Sequence, residues 1–143
     1  MKVIFDANVL ISYLLTFEKE GAIATIVEAG FKGKYLLILP HEVISELRKK
    51  ITVKEYLSQR IPQPTAEKFI TALSVIADIP SPITEVIPEV GRDLKDDYLL
   101  AYGTVVECEY LVTGDDDLLV LKKVGKLKIV NPAEFYEILK KGE

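Results

Sequence analysis

The chain has no tryptophan, one cysteine, one histidine and one methionine among its 143 residues. Cys108 has no partner for an intramolecular disulfide, so a small scaffold held by bridges is excluded. At this length a domain buries roughly two-thirds of the surface its unfolded chain exposes, so no structural metal is needed either. No apolar run approaches the ~18 residues of a membrane helix. Met1-Lys2 leads straight into Val-Ile-Phe, too short a start for a signal peptide, so a cytoplasmic location without a membrane partner is expected. Gly/Ser linkers, repeats and low-complexity stretches are missing, so residues 1–143 are expected to form one domain. An excess of basic residues is missing too: 18 Lys and Arg against 22 Asp and Glu give a net charge of −4. That balance argues against a partner held by an overall basic surface. It leaves nucleic acid open, because a carboxylate-rich pocket can reach phosphate through a divalent metal.

What is present is an alternation of apolar strands and amphipathic helices. Lys2 to Phe5 is a short β-prone run that stops at Asp6, and Val9 to Leu15 and Gly21 to Ala29 suit helices. Tyr35 to Leu39, closed by Pro40, is a second buried strand, followed by a helix over His41 to Ile51 with Val43, Ile44, Leu47 and Ile51 on one face. Val53 to Ala77 is expected to be helical in two pieces, broken at Pro62-Gln63-Pro64, with Thr65 as N-cap and an incomplete capping box. Pro80, Pro82 and Pro88 mark an irregular stretch in which Ile83 to Ile87 is a strand candidate. A helix opens at Asp93 to Asp97 and runs to about Glu107. Tyr110 to Thr113 is a third apolar run, Leu118 to Lys122 a helical turn, Lys128 to Val130 a last strand and Pro132 to Lys141 a closing helix. Near-continuous apolar strands between helices predict an α/β fold with a parallel sheet covered on both faces.

Acids stand where such a sheet binds ligands, beyond the carboxyl ends of its strands. Asp6 follows the first strand, Asp115 to Asp117 follow the third, Asp96 and Asp97 open a helix, and Glu46 lies near the apolar face of the helix after the second strand. Each alone reads more blandly, as a turn former, a helix cap or a solvated side chain. Together they are like charges that stay ionised only beside a cation. Oxygen donors without histidine or thiolate select hard ions, Mg²⁺ or Mn²⁺. His41, at a helix start after Pro40, reads as a capping or surface residue, and Cys108 as a small buried hydrophobe.

These residues resemble the PIN domains, and among them the stand-alone prokaryotic proteins similar to VapC-type ribonucleases. The resemblance rests on the opening strand into Asp6-Ala7-Asn8-Val9-Leu10-Ile11-Ser12, on Glu46-Leu47-Arg48, on Asp93 to Asp97, and on Leu111-Val112-Thr113-Gly114-Asp115-Asp116-Asp117. It covers nearly the whole chain, read as a single PIN domain. It implies a PIN-like three-layer α/β/α sandwich around a mainly parallel sheet of about five strands. It further implies metal-dependent endoribonuclease chemistry with Mg²⁺ or Mn²⁺, RNA as substrate, and the role of toxin beside an antitoxin protein. By this resemblance the catalytic acids are Asp6, Glu46, Asp115 and one of Asp96 and Asp97. The metal ligands are Asp6, Asp96 or Asp97, and Asp115, with Asp117 a helper. Spacing to Thr113 fits Asp96 in one branch of the family and Asp97 in the toxin branch, so the pair stays open. Asn8, Ser12 and Thr113 match pocket-supporting positions, whereas Gly103 and Thr104 depart from expected alanines. Arg48, Arg92 and Lys95, with Lys49 and Lys50, are candidate RNA contacts. A homodimer is expected through the Val9 to Leu15 helix and the Tyr56 to Ala77 region.

Two alternatives stand beside this. A small-substrate phosphatase of another α/β family wants a second Asp two residues after the first, where this chain has Asn8, and a lysine after a third strand, where it has aspartates. A catalytically inactive PIN-fold binding module would have no reason to keep every acidic position filled.

Overall fold

A computed structural model describes residues 1–16, 21–83 and 97–142, with Asp97 described in its backbone only. The elements run β1 (Lys2–Phe5), α1 (Ala7–Leu15), α2 (Ala22–Phe31), β2 (Leu36–Ile38), α3 (His41–Val53), α4 (Glu55–Arg60) and α5 (Gln63–Ile76). They continue with α6 (Asp97–Val105), β3 (Tyr110–Val112), α7 (Asp116–Leu119), β4 (Lys123–Val124), β5 (Leu127–Val130) and α8 (Pro132–Lys141). The strands form one sheet in the order β2-β1-β3-β5-β4, parallel except for the antiparallel β4–β5 pair. With helices flanking it, this is a three-layer α/β/α sandwich.

The central strands are apolar on both sides because both sides are covered. Phe5 turns toward the α2 and α8 layer, where Phe135 meets it edge-on at 6.1 Å and 84°. Tyr35 lies 5.5 Å from the same Phe135 ring, and its hydroxyl donates to the Ile26 carbonyl at 2.7 Å, so the polar end of a buried ring is satisfied. Helix α6 packs across β1, β3 and β5. Gly103 makes that approach close: a Cβ there would lie 2.7 Å from Leu127 Cδ2 on β5.

Several boundaries differ from those the sequence suggests. Thr65 does not cap α5. The helix starts at Gln63-Pro64, with Pro62 at the cap, because proline costs nothing at positions whose N–H has no intrahelical acceptor. The helical turn after Asp115 is Asp116–Leu119 rather than Leu118 to Lys122. The fifth strand is β4, returned onto β5 through Gly125 at φ +60. The strand candidate at Ile83 to Ile87 falls almost entirely outside the described residues. On the surfaces expected to pair copies, Val9, Leu10 and Ile11 are buried within the chain, whereas Tyr56 and Val75 are exposed. No helix among the described residues is long and apolar enough to cross a membrane.

Candidate active site

The register of β1 and β3 sets the geometry. Phe5 pairs with Val112, so the next residue of each strand, Asp6 and Thr113, emerges side by side at the carboxyl edge. The Thr113 hydroxyl donates to Asp6 Oδ2 at 2.8 Å, and the Asn8 N–H donates to Asp6 Oδ1 at 3.3 Å as the first turn of α1 begins. Asp6 is therefore a helix cap as well as a buried acid, with 1% of its surface exposed. The Thr113 oxygen also accepts from the Asp115 N–H at 3.0 Å, and Asp115 Oδ1 accepts from the Asp117 N–H at 2.9 Å, capping α7. One threonine thus links the acid after the first strand to the acid after the third.

Helix α3 brings the next acid. Glu46 Oε1 lies 3.0 Å from the Lys50 ammonium, and the Tyr98 hydroxyl of α6 donates to Glu46 Oε2 at 2.6 Å. Lys50 also donates to Asn8 Oδ1 at 2.9 Å, joining α3 to the start of α1. One turn before Glu46, Glu42 accepts at 2.8 and 3.0 Å from the hydroxyl of Tyr102, which in turn accepts from the Ile83 N–H at 3.1 Å. Two tyrosines one turn apart on α6 therefore meet two glutamates one turn apart on α3. Burial pushes the Asp6 carboxyl above its ordinary range; the bonds from Thr113 and Asn8 draw it down, Glu46 raises it, and Lys50 draws it down.

Beside Glu46 opens a crevice of about 500 Å³ whose walls include Glu42, Lys49, Lys50, Lys54 and Tyr98. A second cavity, of about 430 Å³, lies between α2 and α8 near Met1, at the opposite ends of the strands, and holds none of the acids.

The structure thus gathers Asp6, Asn8, Glu46, Thr113, Asp115 and Asp117 at one edge, while Ser12 sits one turn along α1 from Asn8. Asp97 begins α6, and Asp96, Arg92 and Lys95 lie outside the described residues. Arg48 does not join them: its guanidinium makes a paired contact with Glu67 on α5, at 3.0 Å twice. His41 is exposed at the start of α3, and the Cys108 thiol is buried and pushed up to about 11 by that burial. Tyr98 as a partner of Glu46, the Tyr102–Glu42 contact and the bridging place of Lys50 are absent from the sequence reading. The one available signal was the four-residue spacing of Glu42, Glu46 and Lys50 against that of Tyr98 and Tyr102.

The donors at this edge are carboxylate, amide and hydroxyl oxygens, which suit a hard divalent cation. The electrostatics agree, since Asp6 is desolvated and also repelled by Glu46, both of which an added cation would offset. Among the described residues no three acidic, histidine or cysteine side chains stand close enough to form a complete cage. A family model described as PIN domain matches residues 2–117, a span that ends within α7. No curated protein matches the chain.

Proposed function

Because this chain belongs to the PIN domain family, a nuclease fold, we propose that it is a metal-dependent endoribonuclease. In this reading it hydrolyses RNA phosphodiesters at the carboxylate edge and acts as the toxin of a toxin–antitoxin pair. The observation that carries the catalytic part is the buried Asp6 carboxylate, held by Thr113 at the carboxyl ends of two adjacent parallel strands. The family match favours this over the small-substrate phosphatase, and the filled acidic positions favour it over an inactive binding module.

Asp6, Asp115 and one of Asp96 and Asp97 would hold Mg²⁺ or Mn²⁺, with Asp117 a helper. Such an ion supplies a bound water of lowered pKa and positive charge opposite the scissile phosphate. The protein's own groups do the rest. Thr113 fixes the rotamer of Asp6, while Tyr98 and Lys50 fix the two oxygens of Glu46. From there Glu46 accepts a proton as general base or adds a ligand for a second ion. Lys49 and Lys54, exposed along the crevice, meet the RNA backbone, with Arg92 and Lys95 as further candidates. An antitoxin and a second copy of the chain are the expected protein partners.

The test is cleavage of a single-stranded RNA by the purified protein with Mg²⁺ or Mn²⁺ and with EDTA. Cleavage that needs the metal and is lost in Asp6→Asn supports the reading, and cleavage undiminished by chelator overturns it. The same assay resolves the acidic pair. Asp97 begins α6, and as its chain neighbour Asp96 is not expected to present its carboxylate in the same direction, so one of the two is expected to carry the role. Asp96→Asn is expected to abolish cleavage and Asp97→Asn to reduce it less; full activity in both removes this helix from the site.

A further inference from the structure

Lys50 is not placed like an ordinary surface lysine. Its ammonium lies 3.0 Å from Glu46 Oε1 on its own helix and 2.9 Å from Asn8 Oδ1 on α1. The Lys50 and Glu46 side chains are only 24% and 23% exposed. An isolated pair at this helical spacing contributes a few tenths of a kcal/mol and moves freely. Here the second bond, to a residue far away in sequence, fixes the ammonium between two helices. Asn8 is the residue whose N–H bonds the Asp6 carboxylate. One positive charge is therefore tied to Glu46 on one side and to the immediate surroundings of Asp6 on the other. The remaining oxygen of Glu46 is held by the Tyr98 hydroxyl at 2.6 Å. Both oxygens of Glu46 are thus engaged, and the partner of Oε1 is a cation.

A cation already seated among the acids does what a metal ion would do for them: it offsets their mutual repulsion. An arriving divalent ion meets an occupied oxygen. The lysine stem is flexible and its charge compact, so the ammonium can leave Glu46 without disturbing the helix backbone. Lys49 and Lys54 lie along the same crevice, so a released Lys50 adds a third positive charge where a phosphate would pass.

We propose that Lys50 is the resident counter-ion of this carboxylate site, and that a divalent ion drawn to Asp6 competes with it for Glu46 Oε1. The proposal rests on reading the acids as a metal site. It couples metal uptake to the release of a lysine toward the substrate crevice.

The experiment is calorimetric titration of Mn²⁺ into the full chain at neutral pH, for the wild type, Asp6→Asn, Lys50→Met, Glu46→Gln and the Glu46→Gln/Lys50→Met pair. Lys50→Met is expected to bind Mn²⁺ about five- to tenfold more tightly than wild type, a coupling ordinary for contacting groups. That gain is expected to vanish in the Glu46→Gln background, because the competition is for Glu46. A gain that persists there would mean Lys50 only repels the ion through space, and overturns the proposal. So does equal or weaker binding in Lys50→Met. Should Lys50→Met fail to fold, Lys50→Gln removes the charge while keeping a hydrogen-bonding head, with the same outcomes expected. A wild type with no Mn²⁺ binding that depends on Asp6 overturns the metal reading beneath the proposal, and the proposal with it. The other failures leave Asp6-dependent binding intact, so the two are told apart.

Discussion

Thr113 and Asp6, 107 residues apart in sequence, share a 2.8 Å hydrogen bond that exists only because their strands are adjacent and in register. The bond joins a wholly buried hydroxyl to a nearly buried carboxylate. Thr113→Val keeps the side-chain outline and deletes the donor, and it also strips the Asp115 N–H of its acceptor. A hydrogen bond to a charged group contributes about 1.5–3 kcal/mol, and a loss of that size is expected in urea unfolding at pH 7. Since this bond draws the Asp6 carboxyl downward, its removal raises that carboxyl further. The deficit should therefore shrink in acid, where Asp6 is protonated in either protein. Thr113→Ser, which keeps the hydroxyl, is expected to retain most of the stability.

Asp6→Asn separates shape from charge. Burial, and secondarily Glu46, raises the folded-state pKa of Asp6 above its ordinary 3.8. For a carboxyl shifted upward the folded state holds the proton more tightly than the unfolded chain. Stability of the metal-free protein then falls as pH rises from the ordinary value through the raised one, and the deficit is complete above it. The asparagine variant escapes that loss. It is expected to melt at or above the wild-type temperature in EDTA at pH 7, with any advantage closing toward pH 4. RNA cleavage should fall by about 10²-fold or more, as for loss of one group that stabilises developing charge. A clear drop in melting temperature at pH 7 would assign Asp6 a structural role instead.

Gly103→Ala tests how closely α6 sits on the sheet. The added methyl would stand 2.7 Å from Leu127 Cδ2, and Leu127 is itself buried. Overpacking costs about 1–3 kcal/mol, whereas alanine gains up to about 1 kcal/mol over glycine within a helix. A net destabilisation of up to about 2 kcal/mol is expected in chemical denaturation. An unchanged or raised midpoint would mean Leu127 yields without strain.

The acids at the strand ends were legible because short apolar runs end abruptly at aspartate, as the chain does at Asp6 and after Thr113. Glu46 was legible from its place near the apolar face of the helix after the second strand. The closing helix, Pro132–Lys141, was equally plain from its proline start, and the structure adds a capping box of Asn131 and Glu134 at the same end. What escaped depends on distance in space rather than in sequence. Nothing local to Tyr98 says that its hydroxyl meets Glu46, and Lys50 reads as one more basic residue at a helix end until α1 is docked against it. β4 escaped for another reason: two residues carry no periodicity, and only the turn at Gly125 folds them back. Arg48 looked like a phosphate contact because it stands with Lys49 and Lys50 at the basic end of the helix that carries Glu46, but helical rotation turns it toward Glu67.

The sheet's two margins are blunted differently. At β2, Leu37 accepts from the Asp78 N–H and Leu39 donates to the Asp78 carbonyl, so the chain itself takes up two of the outward-facing groups of that margin. At the other margin β4 is two residues long, with exposed Lys123 among them. Unpaired strand margins are what a stray extended segment would zip onto, and covering or shortening them removes that template. Among the described residues neither margin offers a second copy a long free ladder, so self-association through a shared sheet is disfavoured at both. The homodimer proposed above would then have to form through the helices, where Tyr56 of α4 and Val75 of α5 face outward.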